Sequence, residues 1–392
     1  MIEQNISDGV RMKKTVLLKS RTGRRRPVKL GKGEPVKVNA NIGTSPLRVD
    51  LKKELKKLDA AVRSGADTVM DLSTGGNIRE IRKEILSRSP VPVGTVPVYE
   101  VFCRTTMRGV SFRKVSPSFF LEVVEEQLED GVDFVTLHCA VTRSILERLK
   151  RKPRVAGVVS RGGALIFRWM EETGEENPLL SRYGELLKLM KKYGCTLSLG
   201  DGLRPGSLAD SLDRPQMMEL ENQSLLVRQA LAAGVKVILE GPGHVPLHEV
   251  EKQIRLAKKY AHGVPLYVLG PIVTDIAPGY DHITSAIGGA LAAFCGADFL
   301  CYVTPSEHLG LPGVEDVKEG VIASRIAAHA ADIARGLKGA REYDRLFSRY
   351  RRELNWKKMQ EMALDPEKIR RSRSGKECTM CGKYCALKQT GR

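Results

Sequence analysis

The stretch Thr196-Leu-Ser-Leu199 is a short apolar run that ends in Gly200-Asp201 and follows a helical pattern closed by Gly194. Apolar runs of this length between helices are typical of strands that are buried on both faces of a parallel sheet. A glycine directly after a helical pattern is a common helix end. The unit therefore predicts a helix, a turn and a buried strand that presents Asp201 at its carboxyl end.

The same unit repeats along the chain, where helical patterns and apolar runs alternate. Eight apolar runs fit the strand pattern, and they are 68–70, 91–98, 134–137, 155–159, 196–199, 235–239, 265–269 and 299–303. This alternation predicts an α/β fold that closes into a (β/α)8 TIM barrel. An open doubly wound sheet is the alternative, but no Gly-x-Gly-x-x-Gly sequence opens the first helix.

Three regions follow from this pattern. A basic N-terminal arm occupies 1–35, the barrel occupies 36–336, and a helical extension with a cysteine-rich tail occupies 337–392. Much of the net charge of +18, from 64 basic and 46 acidic residues, lies in the arm and the extension. Aromatic residues make up only 5% of the chain and do not alternate with the basic ones. We therefore expect solvated basic surfaces and no nucleic-acid partner.

The chain lacks the features of a membrane or exported protein. It contains no 18 consecutive apolar residues, and residues 1–10 lack the apolar core of a signal peptide. Its eight cysteines do not make the dense disulfide framework of a small secreted domain. We therefore expect no membrane partner and a cytoplasmic location.

Three cysteines, Cys378, Cys381 and Cys385, lie within eight residues near the end of the sequence. Three thiolates at this spacing suit a cubic iron–sulfur cluster and leave its fourth iron open to a ligand that is not protein. An open iron indicates a 4Fe-4S cluster that binds and reduces S-adenosylmethionine. A zinc knuckle with a distant fourth ligand is the alternative, since Cys-x-x-Cys serves both kinds of site.

Reactive side chains fall at the carboxyl ends of the predicted strands, where barrel enzymes have their active sites. They are Met70, Tyr99, His138, Arg161, Asp201, Arg204, Glu240, His244 and His308. Three further histidines, His248, His262 and His329, fall on or near helices, and we interpret them as structural or surface residues. The barrel pattern thus predicts one active site to which most strands contribute.

Two glycine-rich loops carry one arginine each, and they are Ser160-Arg161-Gly162-Gly163 and 201–207. Free backbone N–H groups beside a guanidinium group suit a phosphate dianion. Each loop alone also fits an ordinary turn. Because the loops follow adjacent predicted strands, 155–159 and 196–199, a shared phosphate site is favoured.

His244 and His308 follow the sixth and the eighth predicted strands. Two imidazoles from separate strand ends can hold a zinc ion and leave further positions for a substrate. A histidine near a strand end is also commonly a hydrogen-bonded loop residue. Residue type and position alone leave both interpretations open.

Long strings of the barrel resemble one family. They are Val38-Asn-Ala-Asn-Ile-Gly-Thr-Ser45, Val69-Met-Asp-Leu-Ser-Thr-Gly75, Leu197-Ser-Leu-Gly-Asp-Gly-Leu-Arg-Pro-Gly-Ser207, Glu240-Gly-Pro-Gly-His-Val-Pro246, 274–285, 301–305 and 307–312. On these residues the chain resembles the phosphomethylpyrimidine synthases, radical S-adenosylmethionine enzymes of thiamine biosynthesis. The resemblance runs from about 36 to 336 and resumes at the tail.

The resemblance implies a lyase that rearranges 5-aminoimidazole ribonucleotide to 4-amino-5-hydroxymethyl-2-methylpyrimidine phosphate. It implies a 4Fe-4S cluster, S-adenosylmethionine and zinc as cofactors, a homodimer, and an electron donor such as flavodoxin or ferredoxin. Cluster ligands would be Cys378, Cys381 and Cys385, and zinc ligands would be His244 and His308. Substrate contacts would be Asn41, Met70, Tyr99, His138, Ser160, Arg161, Gly162, Asp201, Gly202, Leu203, Arg204, Glu240 and Tyr267. No catalytic side chain is implied beyond the cluster ligands.

The tail departs from the family's pattern. The family has four residues between the second and third cysteines, whereas only Gly382-Lys383-Tyr384 intervene here. Two alternatives therefore remain beside the synthase. One is a paralogous radical enzyme that makes 5-hydroxybenzimidazole from the same ribonucleotide, and the other is a non-catalytic member whose tail holds zinc or nothing.

Overall fold

Eight parallel strands close into a barrel, in which the last strand pairs with the first. The computed structural model describes residues 15–372 and 380–389. The strands are β1 (Thr15–Leu18), β2 (Val28–Gly31), β3 (Lys37–Ile42), β4 (Thr68–Asp71), β5 (Val93–Thr95), β6 (Phe134–Leu137), β7 (Thr196–Leu199), β8 (Val237–Gly241), β9 (Leu266–Leu269) and β10 (Phe299–Cys301). Strands β3 to β10 form the barrel, and the predicted TIM barrel is confirmed.

Helices connect the barrel strands and cover their outer side. They are α1 (Leu51–Arg63), α2 (Ile78–Arg88), α3 (Pro97–Met107), α4 (Pro117–Glu129), α5 (Arg143–Arg151), α6 (Arg161–Thr173), α7 (Pro178–Ser181), α8 (Tyr183–Tyr193), α9 (Arg214–Ala232), α10 (Leu247–Tyr260), α11 (Asp281–Cys295) and α12 (Val314–Ala334). The Asp50 carboxylate starts α1 by accepting a hydrogen bond from the Lys53 N–H at 3.0 Å. Such caps satisfy N–H groups that have no partner within the first turn.

The strands are packed on both faces. Every residue of β4, β6, β7 and β8 is buried, as expected for parallel strands between a filled barrel and a layer of helices. Phe134 and Phe299 are fully buried. The Tyr267 ring stacks on Phe299 with 4.3 Å between the ring centroids. This packing fixes the strand ends from which the site is built.

The segment 155–159 is not a strand, and the prediction of a strand there was wrong. Val155 is 79% exposed, so an apolar side chain that suggested a buried strand faces solvent. The N–H groups of Val155 and Ala156 donate to the Asp210 carboxylate at 2.8 and 2.9 Å and not to a neighbouring strand. Strand β3, which lay outside the eight predicted runs, supplies the remaining barrel strand.

The described part of the basic arm folds as a hairpin and joins the barrel core. Strand β1 pairs antiparallel with β2, and Val16 and Leu18 are buried in one cluster with the barrel residues. Arg25 is 5% exposed and binds the Asp133 carboxylate through Nε at 2.7 Å. Most basic side chains of the described arm are exposed, as predicted, and they are Lys19, Arg21, Arg24, Arg26, Lys29 and Lys32. The arm differs from the prediction because alternate apolar side chains of its two short strands pack on the barrel core and Arg25 is buried.

The chain divides into two compact units, Met1–Ala331 and Asp332–Arg392. The described helices of the second unit that follow α12 are α13 (Ala340–Arg352), α14 (Trp356–Met362), α15 (Pro366–Arg371) and α16 (Ala386–Gln389). The Tyr343 hydroxyl donates to the Met362 carbonyl at 2.6 Å and ties α13 to the end of α14. Within residues 15–372 and 380–389, no helix is long and apolar enough to cross a membrane.

Candidate active site

A cavity with about 520 Å³ of empty volume opens at the carboxyl ends of the barrel strands. All eight strands, or the loops directly after them, contribute to its lining. The lining consists of Asn41, Met70, Leu72, Val96, Tyr99, Thr136, His138, Asp201, Arg204, Glu240, Gly241, Tyr267, Val268, Leu269 and Cys301. Eight of the thirteen predicted substrate residues are therefore brought together, and they are Asn41, Met70, Tyr99, His138, Asp201, Arg204, Glu240 and Tyr267.

Asparagine side chains of β3 bind side chains of β9 and β10 across the closure of the barrel. The Asn39 Nδ2 donates to the Tyr267 hydroxyl at 2.9 Å, and the Asn41 Nδ2 donates to the Cys301 sulfur at 3.1 Å. Burial raises the pKa of the Cys301 thiol to about 11, so the thiol is neutral near pH 7. Neither Asn39 nor Cys301 belongs to the predicted site. The alternation of side chains along β3 was the available signal, because Asn39 and Asn41 point to the same face.

Glu240 is held by hydroxyl groups from the two preceding strands of the barrel. Its Oε1 accepts hydrogen bonds from the Thr136 hydroxyl at 2.8 Å and the Ser198 hydroxyl at 2.7 Å. Burial raises the pKa of the Glu240 carboxyl, and both hydrogen bonds oppose this shift. The carboxyl therefore has one fixed orientation in the cavity wall.

His138 stands directly after β6, between two glycines. A Cβ added to Gly162 would lie 2.1 Å from the His138 ring, and one added to Gly200 would lie 2.8 Å from it. The His138 Nε2 is 3.2 Å from the Ser160 hydroxyl, and its Nδ1 has no hydrogen-bond partner within the described residues. Burial, with a smaller effect of Arg204, lowers the pKa of His138 to about 3. The neutral ring can therefore bind a polar group in the cavity through its free nitrogen.

Asp201 and Arg204 form an ion pair in the turn after β7. The Arg204 Nη1 lies 3.3 Å from the Asp201 Oδ1. Burial raises the pKa of Asp201 well above its usual range, Arg204 opposes this shift, and Glu240 adds to it. The Asp201 Oδ2 is buried without a hydrogen-bond partner among the described side chains and backbone. The turn therefore offers the cavity a guanidinium group and an unsatisfied carboxyl oxygen.

The backbone N–H groups of Gly202 and Leu203 are already occupied. They donate to the two carboxylate oxygens of Glu219 on α9, each at 2.7 Å. The prediction of free N–H donors for phosphate was therefore wrong for these two residues. Contact of Gly202 and Leu203 with a substrate stays a prediction.

The other predicted phosphate loop forms the start of α6. The Ser160 hydroxyl caps the helix by accepting a hydrogen bond from the Gly163 N–H at 3.2 Å. The guanidinium of Arg161 lies over the Tyr99 ring, 4.9 Å from its centroid. Because 155–159 is not a strand, this loop does not follow a strand as predicted. It offers the positive end of a helix, which attracts anions.

A second cavity, with about 960 Å³ of empty volume, adjoins the first and shares Asn41 and Leu72 with it. Lys57 and Glu307 contribute to its lining. Lys57 is fully buried and binds the buried Glu54 carboxylate at 2.7 Å. Burial raises the pKa of the Glu307 carboxyl. The two cavities thus form adjoining parts of one opening at the carboxyl ends of the strands.

His244 and His308 meet in the loops after β8 and β10, with 5.3 Å between their ring centroids. The His244 Nδ1 is 2.8 Å from the Asp275 Oδ1, and the His308 Nδ1 is 3.3 Å from the Asp281 Oδ2. The His244 contact is a hydrogen bond, which leaves the His244 Nε2 as a possible metal ligand. The His308 contact is only an ion-pair distance, because the Asp281 Oδ2 has no hydrogen-bond partner among the described residues. Where side chains are described, no three His, Cys, Asp or Glu residues are grouped for a metal ion.

Two of the three tail cysteines lie in the described part of the chain. Cys381 is exposed, Cys385 is half-buried, and both are free thiols. The turn Gly382–Tyr384 separates them, and the Cys385 N–H closes it by donating to the Gly382 carbonyl at 3.4 Å. Cys378 lies outside the described residues, so the three-thiol cluster site stays a prediction.

Fold and site together define a barrel enzyme with a cavity of mixed polar and apolar lining at the carboxyl ends of its strands. The model of the radical SAM ThiC family matches residues 1–392. The phosphomethylpyrimidine synthase of a Thermoanaerobacter species is 54% identical over 368 residues, which cover 92% of this chain and 85% of that protein. The enzyme of the same name from Geobacter metallireducens is 54% identical over 375 residues, which cover 93% and 86%. The chain belongs to the radical SAM ThiC family.

Proposed function

We propose that this chain is a phosphomethylpyrimidine synthase, which converts 5-aminoimidazole ribonucleotide to 4-amino-5-hydroxymethyl-2-methylpyrimidine phosphate in thiamine biosynthesis. The observation that carries the proposal is that eight predicted substrate residues line one cavity of about 520 Å³. Small-molecule sites of barrel enzymes lie at this end of the barrel, in a cavity where a few polar side chains converge. The 54% identity to the Thermoanaerobacter phosphomethylpyrimidine synthase supports the same reaction.

The charges around the cavity suit a phosphorylated heterocycle. We expect Arg204 and Arg161 to bind the phosphate dianion through charge-assisted hydrogen bonds. We expect neutral His138 and the fixed carboxyl of Glu240 to orient the imidazole ring and exclude water around it. We propose that S-adenosylmethionine binds in the second cavity, which adjoins the first and shares Asn41 and Leu72 with it.

The proposed cluster site consists of Cys378, Cys381 and Cys385. Three thiolates within eight residues match the ligand set for three irons of a 4Fe-4S cluster. When bound, such a cluster would supply the one electron that cleaves the carbon–sulfur bond of S-adenosylmethionine to methionine and a 5′-deoxyadenosyl radical. The protein's own contribution is to position the substrate and keep the cavity dry.

We further propose a zinc site at His244 and His308. Support comes from the two aspartates, Asp275 and Asp281, which lie next to the Nδ1 atoms and leave the Nε2 atoms for a metal. Two protein ligands leave coordination positions for water or for a group of the substrate or cofactor. A zinc ion in such a site acts as a Lewis acid and as a template that orients what it binds.

Two partners complete the proposal. A flavodoxin or a ferredoxin supplies the electron that the reaction consumes, and two copies of the chain form a homodimer. Both rest on the family resemblance. Light scattering on the purified protein tests the dimer, and replacement of a chemical reductant by reduced flavodoxin tests the donor.

The deciding experiment is an anaerobic assay of the reconstituted and reduced protein with S-adenosylmethionine and 5-aminoimidazole ribonucleotide. Mass spectrometry should detect 5′-deoxyadenosine and the pyrimidine phosphate. 5′-Deoxyadenosine with a benzimidazole would assign the paralogous reaction instead. Neither product, from protein with a full cluster, would assign a non-catalytic family member.

A further inference from the structure

Glu219 is a buried carboxylate outside the predicted substrate set, and both of its oxygens bind one loop of the site. It lies on α9 and is 2% exposed. Oε1 accepts a hydrogen bond from the Gly202 N–H and Oε2 accepts one from the Leu203 N–H, each at 2.7 Å. Hydrogen bonds to an ionised acceptor are stronger than neutral ones. One side chain therefore fixes two consecutive residues of the turn that carries Asp201 and Arg204.

Arg154 holds the same loop from its carbonyl side. Its Nη2 donates to the Leu203 carbonyl at 2.8 Å, while Nε and Nη2 bind the Asp213 carboxylate at 2.6 and 2.7 Å. Leu203 is fully buried, with its N–H bound to Glu219 and its carbonyl bound to Arg154. The loop is thus fixed by the protein itself, before any substrate binds.

The fixed loop also sets the position of α6. A Cβ added to Gly163, in the first turn of α6, would lie 2.5 Å from the Gly202 carbonyl oxygen. A Cβ added to Gly202 would lie 3.1 Å from the Glu219 Oε1 and 3.2 Å from the Gly163 Cα. Glu219, Gly202 and Gly163 therefore pack as one stack, and a shift of the loop moves the start of α6.

Both arginines that this stack controls lie near Tyr99. The Arg161 guanidinium lies over the Tyr99 ring, 4.9 Å from its centroid, at the edge of the second cavity, and Arg204 lines the first cavity together with Tyr99. Burial raises the pKa of Tyr99, and the positive charges of Arg161 and Arg204 oppose that shift. Both guanidinium groups therefore act on the Tyr99 hydroxyl. Arg161 follows Ser160 at the start of α6, and Arg204 follows Leu203 in the loop fixed by Glu219.

Burial disfavours the ionised form of Glu219. Burial raises the pKa of Glu219 from 4.5 to about 7, although the two backbone N–H groups oppose the shift. A carboxyl whose pKa is higher in the folded state loses part of its stabilising effect as pH rises from 4.5 towards 7. A charge buried at such a cost is typical of functional sites.

We propose that Glu219 is a positioning residue that aligns Arg204 and Arg161 on the phosphate of the substrate. It acts through the Gly202–Leu203 backbone and through Gly163, and it touches no substrate itself. The inference rests on the proposed function, which supplies a phosphorylated substrate. It follows that Glu219 controls how strongly the site prefers a ribonucleotide over the corresponding unphosphorylated riboside.

The test compares two dissociation constants in the reconstituted holoenzyme, measured by calorimetry without S-adenosylmethionine. The ligands are 5-aminoimidazole ribonucleotide and its riboside, and the variant is Glu219→Gln. Glutamine has nearly the same shape but presents an N–H donor to one of the two loop N–H groups. We expect the preference for the ribonucleotide to fall about tenfold or more, while riboside binding changes less than about twofold.

Two further variants separate positioning from general damage. The control variant is Asp133→Asn. Asp133 is also a buried carboxylate that accepts a hydrogen bond from a backbone N–H, that of Val93 at 2.8 Å. It lies before β6, at the end of the strand away from the active site. This variant also removes the charge that binds Arg25, so it reports the effect of lost stability alone and should leave the preference unchanged. Gly163→Ala should lower the preference for the ribonucleotide although Glu219 is intact. It replaces Glu219→Gln as the test if that variant does not fold.

The outcomes distinguish the two proposals. A wild-type protein without preference for the ribonucleotide would contradict the proposed function. A wild-type preference that survives in Glu219→Gln and Gly163→Ala would overturn the role of Glu219. An equal loss of affinity for both ligands in Glu219→Gln would also overturn it, since that is the result of general damage to the cavity.

Discussion

The rings of His244 and His308 lie 5.3 Å apart, and each turns its Nδ1 to an aspartate of its own. A carboxylate on Nδ1 fixes the tautomer and the ring orientation, and it raises the basicity of Nε2. The affinity of this pair for a metal can therefore be changed without changing either histidine.

Asp275→Asn should weaken zinc binding about 10- to 100-fold, because it removes the charge behind His244 while keeping a hydrogen-bond acceptor. Competition with a coloured zinc chelator measures this affinity. His244→Ala should remove the bound zinc. His248→Ala, which alters an exposed residue of α10, should keep the full zinc content. Zinc affinity that is unchanged in both site variants would contradict a metal centre at this pair.

His138 should make the fold sensitive to acid. Its pKa falls from 6.5 to about 3 on folding because of burial. The free energy of unfolding therefore decreases as pH drops below 6.5, by about 1.4 kcal/mol per pH unit. Urea unfolding at pH 7 and pH 5 should show a loss that is about 2 kcal/mol smaller in His138→Asn than in the wild type. Equal losses would mean that His138 is protonated in the folded state.

Arg25→Ala should lower the free energy of unfolding by about 3–5 kcal/mol, since it leaves the buried Asp133 carboxylate without its cation. Urea unfolding at pH 7 measures the loss. Lys29→Ala is the matched control, because it breaks a pair with Glu34 of the same 2.7 Å length on the exposed side of the hairpin. It should cost less than about 1 kcal/mol. Similar losses in both variants would show that the buried Arg25–Asp133 pair stabilises the fold no more than the exposed Lys29–Glu34 pair.

Cys385→Ser should abolish the cluster absorbance of reconstituted protein and the formation of 5′-deoxyadenosine, because one of three iron ligands is lost. Affinity for the ribonucleotide should not change. Cys295→Ser, at the end of α11, is the control and should retain the cluster.

The length of the cysteine loop can be tested separately. Insertion of one glycine between Lys383 and Tyr384 restores the family's four-residue spacing. We expect the same cluster content in this variant as in the wild type. A clear gain in cluster content would show that the three-residue loop weakens cluster binding.

The barrel and much of its site follow from local sequence patterns. Buried parallel strands have short apolar runs, and their ends share one edge of the barrel, so residues such as His138, Asp201 and Glu240 could be grouped without the structure. These residues do line one cavity. This grouping succeeds because the order of the strands in the barrel decides which strand ends are neighbours.

The errors have a common physical origin in contacts between residues far apart in the sequence. The segment 155–159 has the composition of a strand, but its N–H groups are bound by Asp210 in a later loop. Glu219 and Lys57 lie in helical patterns where charged residues usually face solvent. Both are buried, because one binds the backbone of Gly202 and the other binds Glu54 beneath a cavity. Burial of a charge depends on its partner, and local periodicity does not identify that partner.

The seam of the barrel joins the strands that are farthest apart in the sequence. Phe299 of β10 pairs with Lys37 of β3, and the Asn41 amide donates to the Cys301 thiol across the same seam. During translation, both sheet edges therefore stay unpaired until the ribosome has released residue 301. Unpaired edges of a parallel sheet invite aggregation. The pairing of β10 with β3 and β9 thus removes both exposed edges of the sheet and brings Cys301 to Asn41.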